Sequence, residues 1–277
     1  MKHIVSFSGG RTSAYLVHLM QEKRVFEGWD VEYVFMDTGA EHPETYKFIN
    51  LLVKEWGIDL ICLRPIVNPV RGVGMRWEVV PVESLKWDLS IFKAFNRKYG
   101  NMYAPMGGHC TTRLKQEVFK NYMNKYKGTD FTVWLGIRED EPRRLRERPN
   151  YKYLAEISDF EKSDVIYWWR ERSFDLGIQE HLGNCIFCIK KSVNKVALAA
   201  KDEPEKWKEW SEMLVGARPM GALTHDVTAI YRGKLNPDAI NVLYEDVDRD
   251  ELHMTMRHAK KYESGSCSES CEVFNCD

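Results

Sequence analysis

Lys2-His3-Ile4-Val5-Ser6-Phe7-Ser8-Gly9-Gly10-Arg11-Thr12-Ser13 opens the chain and decides its fold class. Lys2 to Phe7 is a short β-rich run that stops at two glycines. Ala14, Leu16, Val17, Leu19 and Met20 then recur at helical spacing to about Lys23. A strand that turns through glycines straight into a helix is the building unit of a parallel α/β sheet. The same turn is where such sheets hold anions. Glycine lets the backbone approach a ligand, and the helix N-terminus offers free N–H groups and a positive dipole end. Ser8, Thr12 and Ser13 add hydroxyls, and Arg11 adds a charge suited to phosphate. On residue types alone, the stretch also reads as an ordinary strand-to-helix turn. It is neither a GxxxxGK[ST] loop nor a GxGxxG loop.

Working outward, Val31 to Met36 reads as a second strand, followed by the turn Asp37-Thr38-Gly39-Ala40. Pro43 with Glu44 behind it suits a helix first turn, which runs to about Trp56 before Gly57 ends it. Asp59 to Leu63 is a third strand that stops before Pro65. This alternation predicts an α/β fold, a parallel twisted sheet with helices on both faces. Residues 66–108 read as an insertion covering one sheet edge, with a helix over 84–98. A helix over 111–125 and a strand over 131–135 return to the sheet. Ser163-Asp164 can cap a helix carrying Val165, Ile166, Trp168 and Trp169, the two tryptophans being core rather than a base-stacking platform. Helices follow over 190–200 and 205–215. The division is a nucleotide-binding domain over 1–190 and a smaller, mainly helical C-terminal part over 191–277 with a Cys-rich tail.

Forty Lys+Arg against 41 Asp+Glu leave a net charge of −1, which gives no basic footprint of nucleic-acid size. The absence of any long apolar run and of a signal-peptide stretch predicts a soluble, cytoplasmic protein with no membrane partner. Oligomeric state is open, and a homo-oligomer is compatible with the composition. Seven cysteines, an odd number clustered late in such a chain, argue against a disulfide framework. Cys185-Ile186-Phe187-Cys188 can direct two thiolates to one point, and Cys110 stands at an expected helix N-terminus that favours the thiolate. Thiolates select zinc or iron–sulfur clusters over hard cations. Inert burial is the alternative, and it is the reading for Cys62.

Three blocks carry a family resemblance. Ser8–Ser13 resembles the SGGxxS loop of the PP-loop ATP pyrophosphatases, in the branch of the phosphoadenosine phosphosulfate (PAPS) reductases. Asp37-Thr38-Gly39-Ala40-Glu41-His42-Pro43-Glu44-Thr45 resembles that branch's DTGxxxPET segment, and Gly136-Ile137-Arg138-Glu139-Asp140-Glu141 its GxRxxE element. The resemblance implies an adenine nucleotide alpha hydrolase-like fold. It also implies that Ser8, Gly9, Gly10, Arg11, Thr12 and Ser13 hold nucleotide phosphates. Asp37 and Thr38 would lie near the adenosine, Glu41 near metal or phosphate, and Gly136 and Arg138 at the phosphate or sulfate end. Arg143 and Arg144 follow among interleaved acids and read as a salt-bridged surface. Thr12 departs from the Asp common at its position, where magnesium handling is otherwise expected.

The same resemblance places Cys110, Cys185 and Cys188 at a [4Fe–4S] site, with structural zinc as the alternative. The Cys-Cys pair of four-cysteine members is Cys110-Thr111 here. A fourth ligand would come from His109, from Cys267, Cys271 or Cys276, or from no protein group, leaving one iron open to a sulfide or substrate sulfur. The implied activity is that of an enzyme of sulfur metabolism, cleaving ATP to AMP and pyrophosphate to adenylylate an acceptor for sulfur transfer. Arg11 and Arg138 would stabilise charge at the phosphates, and the acceptor would be a tRNA, DNA or a small molecule. The alternative is a PAPS reductase with Cys271 as the attacking thiol, although the reductases' C-terminal Glu-Cys-Gly motif is absent. A third reading is a non-catalytic nucleotide- or nucleic-acid-binding protein with structural zinc.

Overall fold

The first strand is as expected, and it becomes the centre of the sheet. The computed structural model describes residues 1–100, 103–104, 107–215 and 235–258. Six strands, Lys2–Phe7 (β1), Asp30–Met36 (β2), Leu60–Ile66 (β3), Arg76–Val80 (β4), Phe131–Leu135 (β7) and Tyr151–Tyr153 (β8), lie in the order β4-β3-β2-β1-β7-β8. Tyr103–Ala104 (β5) and Gly107–Gly108 (β6) form a separate two-residue ladder. All pairs in the main sheet are parallel except β3 with β4. The chain thus builds outward from β1 to β3 on one side and to β7 and β8 on the other. The crevice between β1 and β7 is the topological switch point, where open α/β sheets bind ligands.

Helices cover both faces, and strand alternation divides the core accordingly. Val5 and Phe7 point to the side of Arg11–Phe26 (α1), Pro43–Trp56 (α2) and Lys162–Arg170 (α5), where Leu16, Phe48 and Trp169 are buried. Ile4 points to the opposite side, among Ser90–Tyr99 (α3), Glu117–Met123 (α4), Val193–Asp202 (α6) and Pro204–Val215 (α7). There Phe95, Phe119, Leu198 and Trp210 are buried, so α6 and α7 share the sheet's own core. Pro237–Leu243 (α8) and Arg249–His258 (α9) pack on α6. Cys62 is fully buried in the α1 layer, as read from the sequence.

Several boundaries differ from expectation for physical reasons. β3 continues through Pro65 to Ile66. The Leu63 carbonyl accepts from Asp37 N on the β2 side, so Pro65 faces that side too, past the last β2 pair, and its missing N–H costs no ladder bond. The insertion does cover the sheet edge, but by adding the antiparallel strand β4; its helix begins at Ser90. The helix after Cys110 starts with a π-helical stretch, Thr111–Gln116, before α4. α5 is capped by Glu161, with Asp164 answering from N3 in a capping box, rather than by Ser163. Gly57 ends α2 in the left-handed region at φ 59°, as expected.

Candidate active site

Ser8–Ser13 sits at the switch point and is held by its own hydroxyls. Ser8 N donates to Ser13 Oγ at 3.1 Å, the Ser8 and Ser13 hydroxyls are 2.8 Å apart, and Ser13 Oγ donates to Gly10 O at 3.0 Å. Gly9 has φ +83°, and a Cβ there would lie 3.0 Å from Thr45 Cγ2 on α2. Gly10 is the N-cap of α1 with no side chain of its own, which leaves the helix's first N–H groups facing outward. Gly136, just past β7, is required for a different reason. A Cβ there would stand 2.9 Å from Ser13 Cα, so only glycine lets β7 approach the phosphate loop this closely.

Arg138 joins the first and third blocks. It is 4% exposed; Nη1 donates to Thr12 Oγ1 at 3.0 Å, and Nε and Nη2 donate to Asp140 at 2.7 and 3.2 Å. Arg11 points elsewhere. Its Nε and Nη2 form a two-pronged bond to Asp175 at 2.7 and 2.9 Å, Nη2 also reaches the Leu176 carbonyl, and its own carbonyl accepts from Trp169 Nε1 at 3.0 Å. Arg144 bonds Glu141, and Arg143 is exposed, in keeping with a salt-bridged surface.

A cavity of about 150 Å³ opens over this loop. Its floor is Ser8–Ser13 with Thr45 and Arg138. Its walls come from α5 (Lys162, Val165, Ile166) and from the segment that follows, Leu176, Ile178, Gln179, Glu180, Gly183 and Asn184. Glu180 is bracketed by Lys162 at 3.0 Å and by Lys195. Asn184 is in the left-handed region at φ 55°, and the next residue is Cys185.

The second block lies across that turn, with the thiols. Asp37 is fully buried; one oxygen accepts from Arg64 Nε and Nη2 at 2.8 and 2.7 Å, the other from Tyr46 OH and Gly39 N at 3.2 and 3.0 Å. Thr38 Oγ1 is 3.7 Å from Cys185 Sγ, and Ile186 N donates to Ala40 O at 3.0 Å. Glu41 pairs in a short antiparallel bridge with Cys185, whose thiol donates to Glu41 Oε1 at 3.6 Å. Lys115 Nζ stands 3.9 Å from the same oxygen. Burial raises the Glu41 carboxyl above its ordinary range, Lys115 and Lys191 opposing, and Glu41 Oε2 is buried without a hydrogen-bond partner. Of this block only Thr45 lines the cavity; Asp37, Thr38 and Glu41 do not.

Lys191 holds the Cys185–Cys188 turn from behind. It is 1% exposed and donates to the carbonyls of His181 and Ile186 at 2.7 and 2.9 Å. Burial pushes its pKa down to about 8, against the pull of Cys188, Cys185 and Glu41. Burial, reinforced by the nearby Cys188, pushes the Cys110 thiol up to about 11. Cys110, Cys185 and Cys188 therefore share one buried, lysine-flanked neighbourhood. Among the described residues, however, no three His, Cys, Asp or Glu side chains converge as a metal-ligating group. Cys267, Cys271 and Cys276 lie outside the described residues.

Sequence reasoning missed five contributors. Asp175 and Arg64 had no motif. Lys191 had a signal, a lysine pair directly after the CxxC turn. The pair Asp202-Glu203 ends α6 and takes a buried histidine with each carboxylate. His181 Nε2 is 2.7 Å from Asp202, and His42 Nε2 is 2.9 Å from Glu203. His42 Nδ1 accepts from Glu44 N, so its Nε2 carries the proton.

The phosphoadenosine phosphosulfate reductase domain model matches residues 2–172, and the chain belongs to that family. It is 46% identical over 279 aligned positions to the uncharacterised nin region protein ORF290 of Escherichia phage lambda, covering 99% of this chain and 96% of that one. It is 24% identical to the uncharacterised protein MJ0066 of Methanocaldococcus jannaschii, over 76% of this chain but 41% of that protein. A phosphoadenosine 5'-phosphosulfate reductase of Thiocapsa roseopersicina is 31% identical over 28% of this chain and 32% of its own. Among solved structures, the phosphate complex of the Candida auris PAPS reductase aligns with TM-score 0.38 and 14% identity, over 61% of this chain and 71% of that one. No helix among the described residues is long and apolar enough to cross a membrane.

Proposed function

We propose that this chain binds an adenine nucleotide with its phosphates on Ser8–Ser13 and Arg138, and cleaves ATP between its α and β phosphates. An acceptor oxygen attacks the α-phosphorus, the bond to the β-phosphate breaks, and pyrophosphate leaves. The adenylylated acceptor then loses AMP to a sulfur nucleophile. One observation carries the reading: the N-terminus of α1, the serine-braced glycine loop before it and a buried arginine line one cavity at the switch point. Such preorganised donors act where charge develops on a departing phosphate. Arg138 stands beside that point, and its bond to Thr12 fixes the loop's second helical residue. The buried thiol neighbourhood one residue past Asn184 supports sulfur chemistry next to the phosphates, with a tRNA, DNA or a small molecule as acceptor.

The family match favours a second reading, reductive cleavage of a sulfonucleotide. One assay separates the two. Pyrophosphate released from ATP, and lost in Arg138→Ala, supports adenylylation; sulfite released from PAPS, and lost in Cys271→Ser, installs the reductase instead. Turnover of neither would sink both.

A further inference from the structure

The family model ends at residue 172, yet the cavity draws part of its wall from later residues, among them Gln179 and Glu180. The C-terminal helices brace that wall. Lys195 of α6 bonds Glu180, Asp202 at the end of α6 holds His181 at 2.7 Å, and Arg249 of α9 donates from Nη2 to Gln179 Oε1 at 3.2 Å. Arg249 is itself fixed by carboxylates. Its Nε and Nη2 donate to Asp202 at 2.8 and 3.0 Å, and Nη1 donates to Asp250 at 3.0 Å.

A guanidinium only donates, so the Gln179 amide has one orientation, with its oxygen toward Arg249 and its nitrogen turned away. Among the described residues that nitrogen has no hydrogen-bond partner. The cations lining the same cavity are already engaged: Arg11 with Asp175, Arg138 with Asp140 and Lys162 with Glu180. A polyanion entering the cavity therefore draws on neutral donors as well, and an amide whose oxygen is already held is such a donor. Resting on the nucleotide reading above, we propose that Gln179 donates its side-chain N–H to an oxygen of the ligand's phosphate chain. Arg249 is then the positioning residue that aims it, and the C-terminal helices complete a site whose other parts lie in residues 2–172.

Calorimetric titration of the full chain with ATP and with PAPS, paired with thermal melts, tests this. Gln179→Glu keeps the length of the side chain and still accepts from Arg249, but it turns an acceptor and a negative charge toward the phosphates. It is expected to weaken nucleotide binding by roughly tenfold or more, beyond the loss in Gln179→Ala, with the melting temperature held or raised. Arg249→Ala is expected to weaken binding by roughly threefold and to lower the melting temperature, because Asp202 also loses its partner. In the Gln179→Ala background the same change should still lower the melting temperature but cost no further affinity. The inference is overturned if Gln179→Glu binds as tightly as wild type, or if Arg249→Ala weakens binding equally with and without Gln179. Failure of the nucleotide reading looks different: wild type itself binds neither ATP nor PAPS, which overturns both.

Discussion

Arg138 Nη1 donates to Thr12 Oγ1 at 3.0 Å, so a single buried side chain joins the loop after β7 to the loop after β1. The same guanidinium holds Asp140, and Glu141 lies 3.6 Å away, which fixes its plane. Arg138→Lys keeps the charge but loses the fork and cannot serve Thr12 and Asp140 together. It is expected to cut pyrophosphate release by roughly tenfold or more, with stability falling about 1–3 kcal/mol. Enzyme assay and urea denaturation check the two effects. Unchanged turnover in a folded Arg138→Lys variant would remove Arg138 from the phosphate site.

Gly136 permits contact between two backbones, a tighter constraint than a turn. Gly136→Ala would put a methyl 2.9 Å from Ser13 Cα, where backbone rather than a flexible side chain must give way. A loss of about 1–3 kcal/mol is expected, together with weaker nucleotide binding, because the displaced atom belongs to the phosphate loop itself. Gly177→Ala is the control, since a Cβ there meets nothing within 4 Å and its φ is not in the left-handed region. Thermal melts with and without ATP read both terms.

The motifs, and much of the element order, were legible because the first strand and the first two helices are bounded by sequence signals. Gly9-Gly10, Pro43 and Gly57 all fall within a residue of an observed boundary. Less visible were contacts that depend on the chain folding back. Nothing local distinguishes Asp175 from other surface acids until Trp169 and Leu176 set it beside Arg11. Pro65 looked like a strand stop because its ladder side cannot be known before the sheet order is. The placement of Asp37 and Thr38 among the thiols likewise follows from the Ala40–Ile186 bond, which links residues 146 positions apart by number.

His181 gives the fold a pH dependence with a definite sign. It is 2% exposed, and burial, outweighing its bond to Asp202, pushes its pKa down to about 4. The unfolded chain has a histidine near about 6.5, so between those values the unfolded state binds more protons. Its contribution to stability is therefore complete above about pH 6.5 and is lost as pH falls toward 4, by up to about 1.4 kcal/mol per pH unit. Urea titrations at several pH values should show that slope, and His181→Gln should flatten it. A wild-type slope that the variant keeps would assign the dependence to other groups.

Thiol accessibility separates core from site. Burial pushes Cys62 up to about 12 and Cys110 to about 11, and Cys62 is wholly enclosed under α1 and α2. At pH 8 neither carries an appreciable thiolate, so iodoacetamide should label the half-exposed Cys188 well before both. Lys191→Met should accelerate labelling of Cys185. It removes the two bonds holding the turn and leaves the carbonyls of His181 and Ile186 unsatisfied, at about 1–3 kcal/mol. Peptide mass spectrometry over a time course reads each site; rapid native labelling of Cys62 would contradict its place in the core.

Arg11 and Asp175 offer the sharpest separation between a phosphate ligand and a latch. The pair is about one-third exposed on each side, so its worth to stability is modest, about 1 kcal/mol after solvent screening. A latch and a ligand differ in what Asp175→Ala does to nucleotide affinity. If Arg11 binds phosphate directly, removing its competitor frees the guanidinium, and ATP binding strengthens. If Arg11 holds the wall carrying Leu176, then Arg11→Ala and Asp175→Ala weaken ATP to similar degrees. The double variant is then little worse than either single one, because both remove the same tie. The latch predicts a non-additive cycle with a coupling of about 0.5–1.5 kcal/mol in ATP affinity. Tighter ATP binding in Asp175→Ala would return Arg11 to the phosphates, and would show the observed pair to be a resting contact that the nucleotide displaces.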